Sequence, residues 1–329
     1  MRLPDSMRVV EVVAGQVELG RRELPAIGAD EVLLHVAASG VNRADISQRE
    51  GRYPPPPGAS DILGLEAAGV VVAVGEAVTN RKVGDVVCAL LAGGGYAEFC
   101  SVPAVQTAAA PADLSLPQLA ALLESACTVW DNIWRRGRLT SGETLLVHGG
   151  GSGIGVMAIQ IAKALGHRVI VTVGTAEKRD RCLALGADAA AIYTQEDFVA
   201  AARAFTDGQG VDVILDMVGG PYLGRNLEAL AADGRLAVIS VSGGATGEAN
   251  LRMMMQRRLT VTASTLRARS PAAKGEVVRD VEANVLPLIA SGRVTAVVDQ
   301  VFPVDDVESA HARMKASLHF GKLVLDWRV

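Results

Sequence analysis

The chain lacks most features that mark secreted, metal-binding or nucleic-acid-binding proteins. No two of its cysteines form a CxxC pair, which excludes a disulfide framework and a zinc-finger spacing. Aromatic residues make up only 4% of the sequence and the formal net charge is −4, so neither base stacking nor electrostatics favours a nucleic-acid partner. The four cysteines are therefore expected to be small buried hydrophobic residues: Cys88, Cys100, Cys127 and Cys182.

Long apolar runs are also missing. No run approaches the roughly 20 residues of a membrane span, and the N-terminal segment MRLPDSMRVVEVV has no apolar core of a signal peptide. Half of the residues are nevertheless apolar, which is enough for a sizeable core. We therefore expect a soluble, cytoplasmic protein of about two domains that makes no membrane contact.

The first third of the sequence is typical of β structure. The runs EVLLHVAASG, AAGVVVAVG and GDVVCALLAGGGYAEFCSV are rich in β-branched residues and punctuated by glycine. RYPPPPGAS predicts a stiff surface loop, because its prolines fix φ and remove hydrogen-bond donors. From PADLSLPQLAALLESACTVWDNIWRRG onward the apolar spacing becomes helical.

Strands and helices alternate in the middle of the chain. ETLLVHGG, RVIVTVG, DVILDMVGG, GRLAVIS and LTVTAST predict strands, and GIGVMAIQIAKALG and TAEKRDRCLALGA predict helices. This rhythm indicates βαβ units around a buried parallel sheet. The stretch from about Ser270 leaves the rhythm, with two helices and the strands DQVFPV and GKLVLDW. The sequence thus predicts an α/β protein in which a nucleotide-binding type of domain, residues 127–269, is inserted into a β-rich domain, residues 1–126 with 270–329.

The segment LLVHGGGSGIGVMAIQIAKALG places a glycine-rich turn between a strand and a helix. Glycine lets the backbone approach a pyrophosphate, whose charge is favoured by the free amides of the helix N-terminus. Within a βαβ rhythm this order predicts a dinucleotide site. The alternative, a mere tight connection, does not need so many glycines.

The end of the following strand indicates which dinucleotide binds. An NAD site usually has Asp or Glu there, about 20 residues after the glycines, to bind the ribose hydroxyls. Here Gly174 and Thr175 occupy that place, and no acid comes before Glu177. A hydroxyl and the nearby Lys178 can bind a 2′-phosphate, so NADPH is favoured. Taken alone, Lys178 would be an ordinary solvated lysine.

These parts together resemble the medium-chain dehydrogenase/reductase superfamily, and within it the zinc-free NADPH:quinone oxidoreductases that include the zeta-crystallins. The likeness runs from about Met7 to the end and is carried by SGVNRADISQREGRYPPPPGASDILGLEAAGVV, LLAGGGYAEF, HGGGSGIG, LDMVGG and GKLVLDW. The proline loop and VNRAD are most similar to the inducible quinone reductases. The resemblance implies a GroES-like catalytic domain, a Rossmann cofactor domain and reduction of a quinone or conjugated enone by NADPH.

Zinc alcohol dehydrogenases of the superfamily carry Cys where this chain has Asn42, and His where it has Leu65. A catalytic zinc needs about three N, S or O ligands and an open position. Asparagine and leucine do not supply two of them, and the closely spaced cysteines that hold a structural zinc are missing too, so we expect no metal. Without a Lewis acid, an already electrophilic quinone or enone is the expected hydride acceptor. Glu66, next to Leu65, is expected to be structural, paired with a cation or backbone amides.

The resemblance also implies roles for single residues. Asn42 and Tyr53 would flank the nicotinamide, where the Tyr53 phenol, with a reference pKa of about 10, can donate a proton or hydrogen bond. The alternatives are that Tyr53 packs under the proline loop and that Asn42 caps a turn. Thr128 would face the cofactor, unless it is a helix threonine bonded to its own backbone.

The remaining cofactor positions follow from the motifs and the resemblance together. Ser242 and Gly243 come directly after a strand, at the edge where open sheets bind ligands. For Tyr193 the alternative is core packing, and for Arg267 it is an ordinary surface arginine; His148 and His311 are interpreted as structural. The expected cofactor-binding set is Asn42, Thr128, Gly151, Ser152, Gly153, Ile154, Gly174, Thr175, Lys178, Tyr193, Ser242, Gly243, Leu266, Arg267 and Lys322.

Two other functions stay open at this point. An enoyl-thioester reductase would need basic residues for a coenzyme A or carrier phosphate, and IWRRGR offers Arg135, Arg136 and Arg138. The other is a crystallin-like protein that binds NADPH without turnover, or that binds RNA as some relatives do, although the acidic balance argues against RNA. LTVTAST is expected at the edge of its sheet, and the resemblance implies that it pairs with a second copy in a homodimer.

Overall fold

The computed structural model describes residues 3–111 and 113–328. The chain forms two compact units. The first comprises the residues up to Cys127, Leu266–Ala290 and the residues from Ala296 on; the second comprises Thr128–Thr265 with Ser291–Thr295. The boundaries that the sequence suggests, 126/127 and 269/270, stay predictions of how the catalytic and cofactor roles are divided.

The regular elements alternate along the chain much as the sequence predicts. The strands are β1 (Ser6–Val13), β2 (Gln16–Glu23), β3 (Glu31–Val41), β4 (Glu66–Val74), β5 (Val86–Leu90), β6 (Phe99–Pro103), β7 (Thr107–Ala109), β8 (Thr144–His148), β9 (Arg168–Val173), β10 (Ala189–Ile192), β11 (Val211–Asp216), β12 (Leu230–Val238), β13 (Thr260–Ala263), β14 (Val298–Pro303) and β15 (Lys322–Asp326). The α-helices are α1 (Arg43–Arg49), α2 (Leu116–Leu119), α3 (Leu123–Trp130), α4 (Gly153–Ala164), α5 (Ala176–Ala184), α6 (Phe198–Phe205), α7 (Leu223–Ala229), α8 (Leu251–Arg257), α9 (Pro271–Asn284), α10 (Leu286–Ala290) and α11 (Val307–Lys315).

The first unit is built on a mostly antiparallel sheet. Its strand order is β14-β15-β3-β4-β5-β7, with β6 also paired to β3 and the hairpin β1–β2 apart from it. The late strand β15 lies antiparallel to β3, with Leu323 opposite Val41. This pairing brings Lys322, from near the end of the sequence, beside the end of β3 and the start of α1.

The second unit is a six-stranded, fully parallel sheet in the order β10-β9-β8-β11-β12-β13. The predicted fold class, an α/β protein with a doubly wound parallel sheet and a β-rich domain, is confirmed. The strand order reverses between β8 and β11, which is where open sheets of this kind bind ligands at their carboxyl ends. The strand predicted at the sheet edge, β13, does lie there.

The region of helical apolar spacing after the first strands is helical in the structure, in three pieces. Over residues 116–136 these are α2, α3 and a π-helical turn, Asp131–Arg136. The four cysteines are buried as expected, and burial raises the pKa of Cys88 and Cys100 to about 12. Across residues 3–111 and 113–328, no helix is both long and apolar enough to span a membrane.

Candidate active and cofactor sites

The glycine-rich loop of the second unit connects β8 to α4. Ser152 is the N-cap of α4, and its hydroxyl oxygen accepts a hydrogen bond from the Gly155 N–H at 3.0 Å. A β-carbon on Gly155 would lie 2.4 Å from the Gly149 carbonyl oxygen, so only glycine allows the loop to fold back over the first turn. The first amides of a helix have no acceptors within it. Gly151, Ser152, Gly153 and Ile154 therefore form a turn suited to an anionic group.

A buried polar chain supports this loop from below. One ring nitrogen of His148 lies 2.7 Å from Asn226 Oδ1 and the other lies 3.0 Å from Thr172 Oγ1. Asn226 Nδ2 donates to Asp216 Oδ2 at 3.1 Å, and the Gly149 N–H donates to Thr172 Oγ1 at 3.3 Å. Burial lowers the pKa of His148 to about 4, so the ring is neutral at pH 7. These hydrogen bonds connect the ends of β8, β9 and β11 under the loop. His148 therefore has a structural role, as predicted.

Gly174 follows β9 and lies beneath an aromatic ring. A β-carbon on Gly174 would stand 3.0 Å from the hydroxyl oxygen of Tyr193, the residue after β10. Tyr193 is 47% exposed, so it is not a core residue. Thr175 is the N-cap of α5, and its side chain accepts a hydrogen bond from the Lys178 N–H at 3.2 Å. The strand end thus combines a small residue, a hydroxyl and a lysine, with the Tyr193 ring beside them.

The loops after β11 and β12 meet beside the glycine-rich loop. The Ser242 hydroxyl donates to the Met217 carbonyl at 2.7 Å, and the Gly243 N–H donates to the Val218 carbonyl at 2.9 Å. The sulfur of Met217 in turn lies 3.9 Å from Ser152 Oγ. Ser242 and Gly243 therefore lie at the carboxyl edge of the sheet, near the loop. Thr128, also in this unit, is buried.

Glu66 in the first unit is buried and fully paired. Its Oε1 accepts hydrogen bonds from Lys322 Nζ at 2.5 Å and from Asn42 Nδ2 at 3.1 Å. Its Oε2 accepts the Glu124 N–H at 3.1 Å. The expectation that Glu66 is paired with a cation or backbone amides is confirmed, since it has both a lysine and one backbone N–H. Because Lys322 Nζ also donates to Asn42 Oδ1 at 2.7 Å, the three side chains form a closed triangle, called the Lys322 cluster below.

The Lys322 cluster depends on Gly40, which no sequence motif singles out. A β-carbon on Gly40 would lie 2.3 Å from Glu66 Oε1 and 2.5 Å from the Ala120 carbonyl oxygen. Overlaps of this size with backbone cannot be relieved by a small side-chain movement. Gly40 therefore makes the space that the Glu66 carboxylate occupies.

Asn42 is the N-cap of α1, but its amide side chain is bonded to Glu66 and Lys322. Its backbone N–H donates to Asp45 Oδ2 at 2.7 Å. Asp45 is fully buried and also accepts from the Tyr96 hydroxyl at 3.2 Å. Burial raises the pKa of Asp45 to about 6, against the lowering effect of these donors and of Lys322.

The buried polar contacts continue from Tyr96 toward the surface. The Tyr96 hydroxyl lies 3.4 Å from His311 Nε2, and His311 Nδ1 lies 3.4 Å from a terminal nitrogen of Arg49. Arg49 pairs with Glu308 at 2.8 Å. Sequence reasoning missed Asp45 and Tyr96, because the partners that make them polar core residues are distant in the chain.

Arg267 anchors the loop that contains Tyr53. Its guanidinium donates to the carbonyls of Ala92 and Tyr53 at 2.8 and 3.1 Å and to Gln48 Oε1 at 2.6 Å, and it lies 5.1 Å from the centre of the Tyr53 ring. Arg267 is only 5% exposed, so the alternative of a surface arginine is wrong. Burial raises the pKa of Tyr53, so its phenol keeps its proton at pH 7. Leu266 is half-buried beside Arg267.

Comparisons with known proteins agree on a single family. The "Alcohol dehydrogenase GroES-like domain" family model matches residues 28–112 and the "Zinc-binding dehydrogenase" family model matches residues 153–285. Quinone oxidoreductase 1 of Escherichia coli (strain K12) is 34% identical over 300 residues, which are 90% of this chain and 91% of that protein.

The chain is also similar to part of a much larger protein and to a solved structure. The phthioceranic/hydroxyphthioceranic acid synthase of Mycobacterium tuberculosis (strain H37Rv) is 33% identical over 326 residues, 99% of this chain, and the chain spans only 15% of that synthase's length. The structure of mycobacterial Rv1454c complexed with NADPH has a TM-score of 0.87 and 31% identity, covering 97% of this chain and 99% of that one.

Proposed function

The chain is an oxidoreductase of the medium-chain dehydrogenase/reductase superfamily, and we propose that it transfers a hydride from NADPH to a quinone or conjugated enone. The observation that carries the cofactor assignment is the end of β9. There, Gly174 and Thr175 stand where an NAD enzyme has a carboxylate, and Tyr193 lies against the glycine. The likeness to a quinone oxidoreductase over about nine-tenths of both chains supports the acceptor.

The second unit supplies the groups that hold the dinucleotide. The turn from Gly151 to Ile154 binds the pyrophosphate through backbone amides at the start of α4. Lys178 and the Thr175 hydroxyl bind the 2′-phosphate, and the Tyr193 ring covers the adenosine. Ser242, Gly243 and Thr128 complete the set in this unit.

The first unit supplies the groups that act on the reacting end. NADPH, when bound, supplies the hydride; the acceptor needs in addition one proton at the reduced oxygen. Tyr53 is the proposed donor of a hydrogen bond or proton to that oxygen, since its pKa is raised and it stays protonated at pH 7. Asn42 is proposed to contact the nicotinamide end through its backbone and the second lone pair of Oδ1. Its amide N–H groups are not available for this, because they are directed at Glu66 and the Gly40 carbonyl. Leu266, Arg267 and Lys322 hold this end in place.

An enoyl-thioester reductase is the second candidate. It is favoured by the 33% identity over 99% of this chain to the mycobacterial synthase. Of the three arginines proposed for a carrier phosphate, Arg136 is paired with Asp131 at 2.9 Å, whereas Arg135 and Arg138 are exposed.

The deciding experiment is a steady-state comparison of NADPH oxidation with a panel of quinones, enones and enoyl-thioesters. Preference for quinones or enones supports the proposal, and preference for enoyl-thioesters by tenfold or more in kcat/KM supports the second candidate. Tight NADPH binding without turnover of any acceptor would instead indicate a crystallin-like binding protein. A higher kcat/KM with NADH than with NADPH would contradict the cofactor assignment.

The cytoplasm and a homodimer are proposed as the setting of this activity. The dimer is proposed to form through the open edge of β13, whose residues are largely exposed: Thr260, Val261 and Ala263. An unpaired strand edge of this kind is a ready site for pairing with another copy.

A further inference from the structure

One family model that matches this chain is named "Zinc-binding dehydrogenase". In the Lys322 cluster of the first unit, however, the positive charge beside Glu66 is a buried lysine. Lys322 and Glu66 are 5% and 1% exposed, and Nζ lies 2.5 Å from Oε1. A buried carboxylate needs a partner of opposite charge, because the loss of its water is costly. The question is therefore which cation the site is built to hold.

The fold places the lysine with little freedom. The Lys322 N–H donates to the Val297 carbonyl at 2.8 Å, and Lys322 begins a strand that is paired on one side with β14 and on the other with β3. Gly321, just before it, has φ of +93°, and a β-carbon there would lie 2.3 Å from the Val297 oxygen. The backbone thus directs the lysine side chain to Glu66 and Asn42 by a turn that requires glycine.

The residues around Glu66 do not fit a zinc ion. A zinc–carboxylate bond is about 2.0–2.2 Å long, whereas the Lys322 ammonium already lies 2.5 Å from the same oxygen and would repel a divalent cation. The same ammonium donates a hydrogen bond to Asn42 Oδ1 at 2.7 Å. Leu65, next to Glu66 in the sequence, has no atom that can bind a metal. Among residues 3–111 and 113–328, no group of three His, Cys, Asp or Glu side chains is arranged to hold a metal.

We propose that the Lys322 ammonium is the resident cation of this site and takes the place of a metal ion. It neutralises Glu66 and at the same time fixes the amide of Asn42, so Lys322 is a positioning residue. The positive charge is then part of the chain and is not exchanged with the solvent. The lysine holds the site together in this way whichever acceptor is reduced.

The first test is the metal content of the purified protein. Elemental analysis should find well below one zinc per chain, and a chelator should leave the melting temperature unchanged. Zinc at about one per chain that is lost in Glu66→Gln would overturn the proposal.

The second test compares the melting temperatures of Lys322→Met, Glu66→Gln and the double variant. Removing the lysine alone leaves a buried charge without its counter-ion, and we expect a loss on the order of 5–10 °C. The double variant should recover a large part of that loss, because both charges are gone. Additive losses in the double variant, or no loss in Lys322→Met, would contradict a counter-ion role.

Lys274→Met is the matched control. Lys274 is also buried, but its Nζ donates to the Arg267 carbonyl at 3.3 Å and not to a carboxylate. Losing this lysine should lower the melting temperature less than losing Lys322, and adding Glu66→Gln should not restore it. Rescue of Lys274→Met by Glu66→Gln would show that the restored stability has nothing to do with the Lys322 pair.

Discussion

The hydroxyl of Tyr193 lies against the backbone of Gly174, 3.0 Å from the position that a β-carbon would take there. The two residues come from the ends of neighbouring parallel strands, β9 and β10. A larger side chain at Gly174 would therefore crowd the Tyr193 ring. This strand end leaves the hydroxyl of Thr175 and the amine of Lys178 as the polar groups of the proposed 2′-phosphate site.

Introducing a carboxylate at this strand end should change the cofactor preference. In Gly174→Asp, repulsion of the 2′-phosphate should raise KM for NADPH by about tenfold or more, equal to about 1.4 kcal/mol, while KM for NADH should rise much less. The measurement is kcat/KM with both cofactors and one quinone. Gly174→Ala is the control for crowding against Tyr193; an equal effect of Ala and Asp would assign the change to sterics and not to charge.

Tyr53→Phe should lower kcat with little change in the NADPH dissociation constant. The loop is held by Arg267 through the Tyr53 carbonyl, which the substitution retains. Loss of a general acid commonly costs about 10²–10⁴ in rate, and stopped-flow hydride transfer together with fluorescence titration of NADPH would separate the two quantities. Tyr193→Phe, in the other unit, is the control and should leave kcat nearly unchanged. Full activity of Tyr53→Phe would remove Tyr53 from the chemistry.

The glycine that folds the phosphate loop over α4 should not tolerate a methyl group. In Gly155→Ala the new β-carbon would meet two carbonyl oxygens at 2.4 and 2.5 Å, so the loop must shift. We expect a loss of about 1–3 kcal/mol in unfolding free energy and weaker NADPH binding by at least several-fold. Gly224→Ala, inside helix α7 with its nearest foreign atom at 3.6 Å, is the matched control and should be neutral or stabilising. Similar losses in both variants would refute the packing explanation.

His148 should make the protein less stable in acid. Its pKa is about 4 in the folded chain and about 6.5 when exposed, since burial disfavours the charged ring. The unfolding free energy is therefore unaffected by this titration above about pH 6.5. As the pH falls from there toward 4, it decreases by up to about 3 kcal/mol. Denaturant unfolding of the wild type and His148→Gln between pH 4 and 7 measures this. The stability gap between them should narrow as pH falls; a constant gap would contradict it.

The open edge of β13 provides a test of the proposed dimer. The Ser264 N–H donates to the Val238 carbonyl of β12, so by alternation Val261 directs its N–H away from β12. Val261→Pro should remove an outward donor without breaking the ladder within the chain. Sedimentation velocity should show a dimer for the wild type and a monomer for the variant. A wild-type monomer, or a dimer that survives the substitution, would place the interface elsewhere.

Local patterns in the sequence were sufficient to predict the fold of the second unit and its ligand-binding edge. Alternating strands and helices and one glycine-rich turn predict a parallel sheet and the position of its ligand-binding edge, because each βαβ unit is encoded within a short stretch. The first unit shows the opposite case. Glu66 is bonded to Lys322, and Tyr96 lies beside His311, across separations that no periodicity reveals. The need for Gly40 likewise becomes visible only once the carboxylate beside it is placed.

The split of the first unit along the chain has a consequence for its synthesis. Glu66 is translated with the early strands, whereas the strand that carries Lys322 is made only after the whole second unit. The second unit is contiguous except for Ser291–Thr295 and can form most of its sheet before then. Until residue 322 has been made, the carboxylate of Glu66 has no lysine beside it, and β3 lacks its partner β15. On the ribosome, the second unit is therefore expected to fold before the first unit is complete.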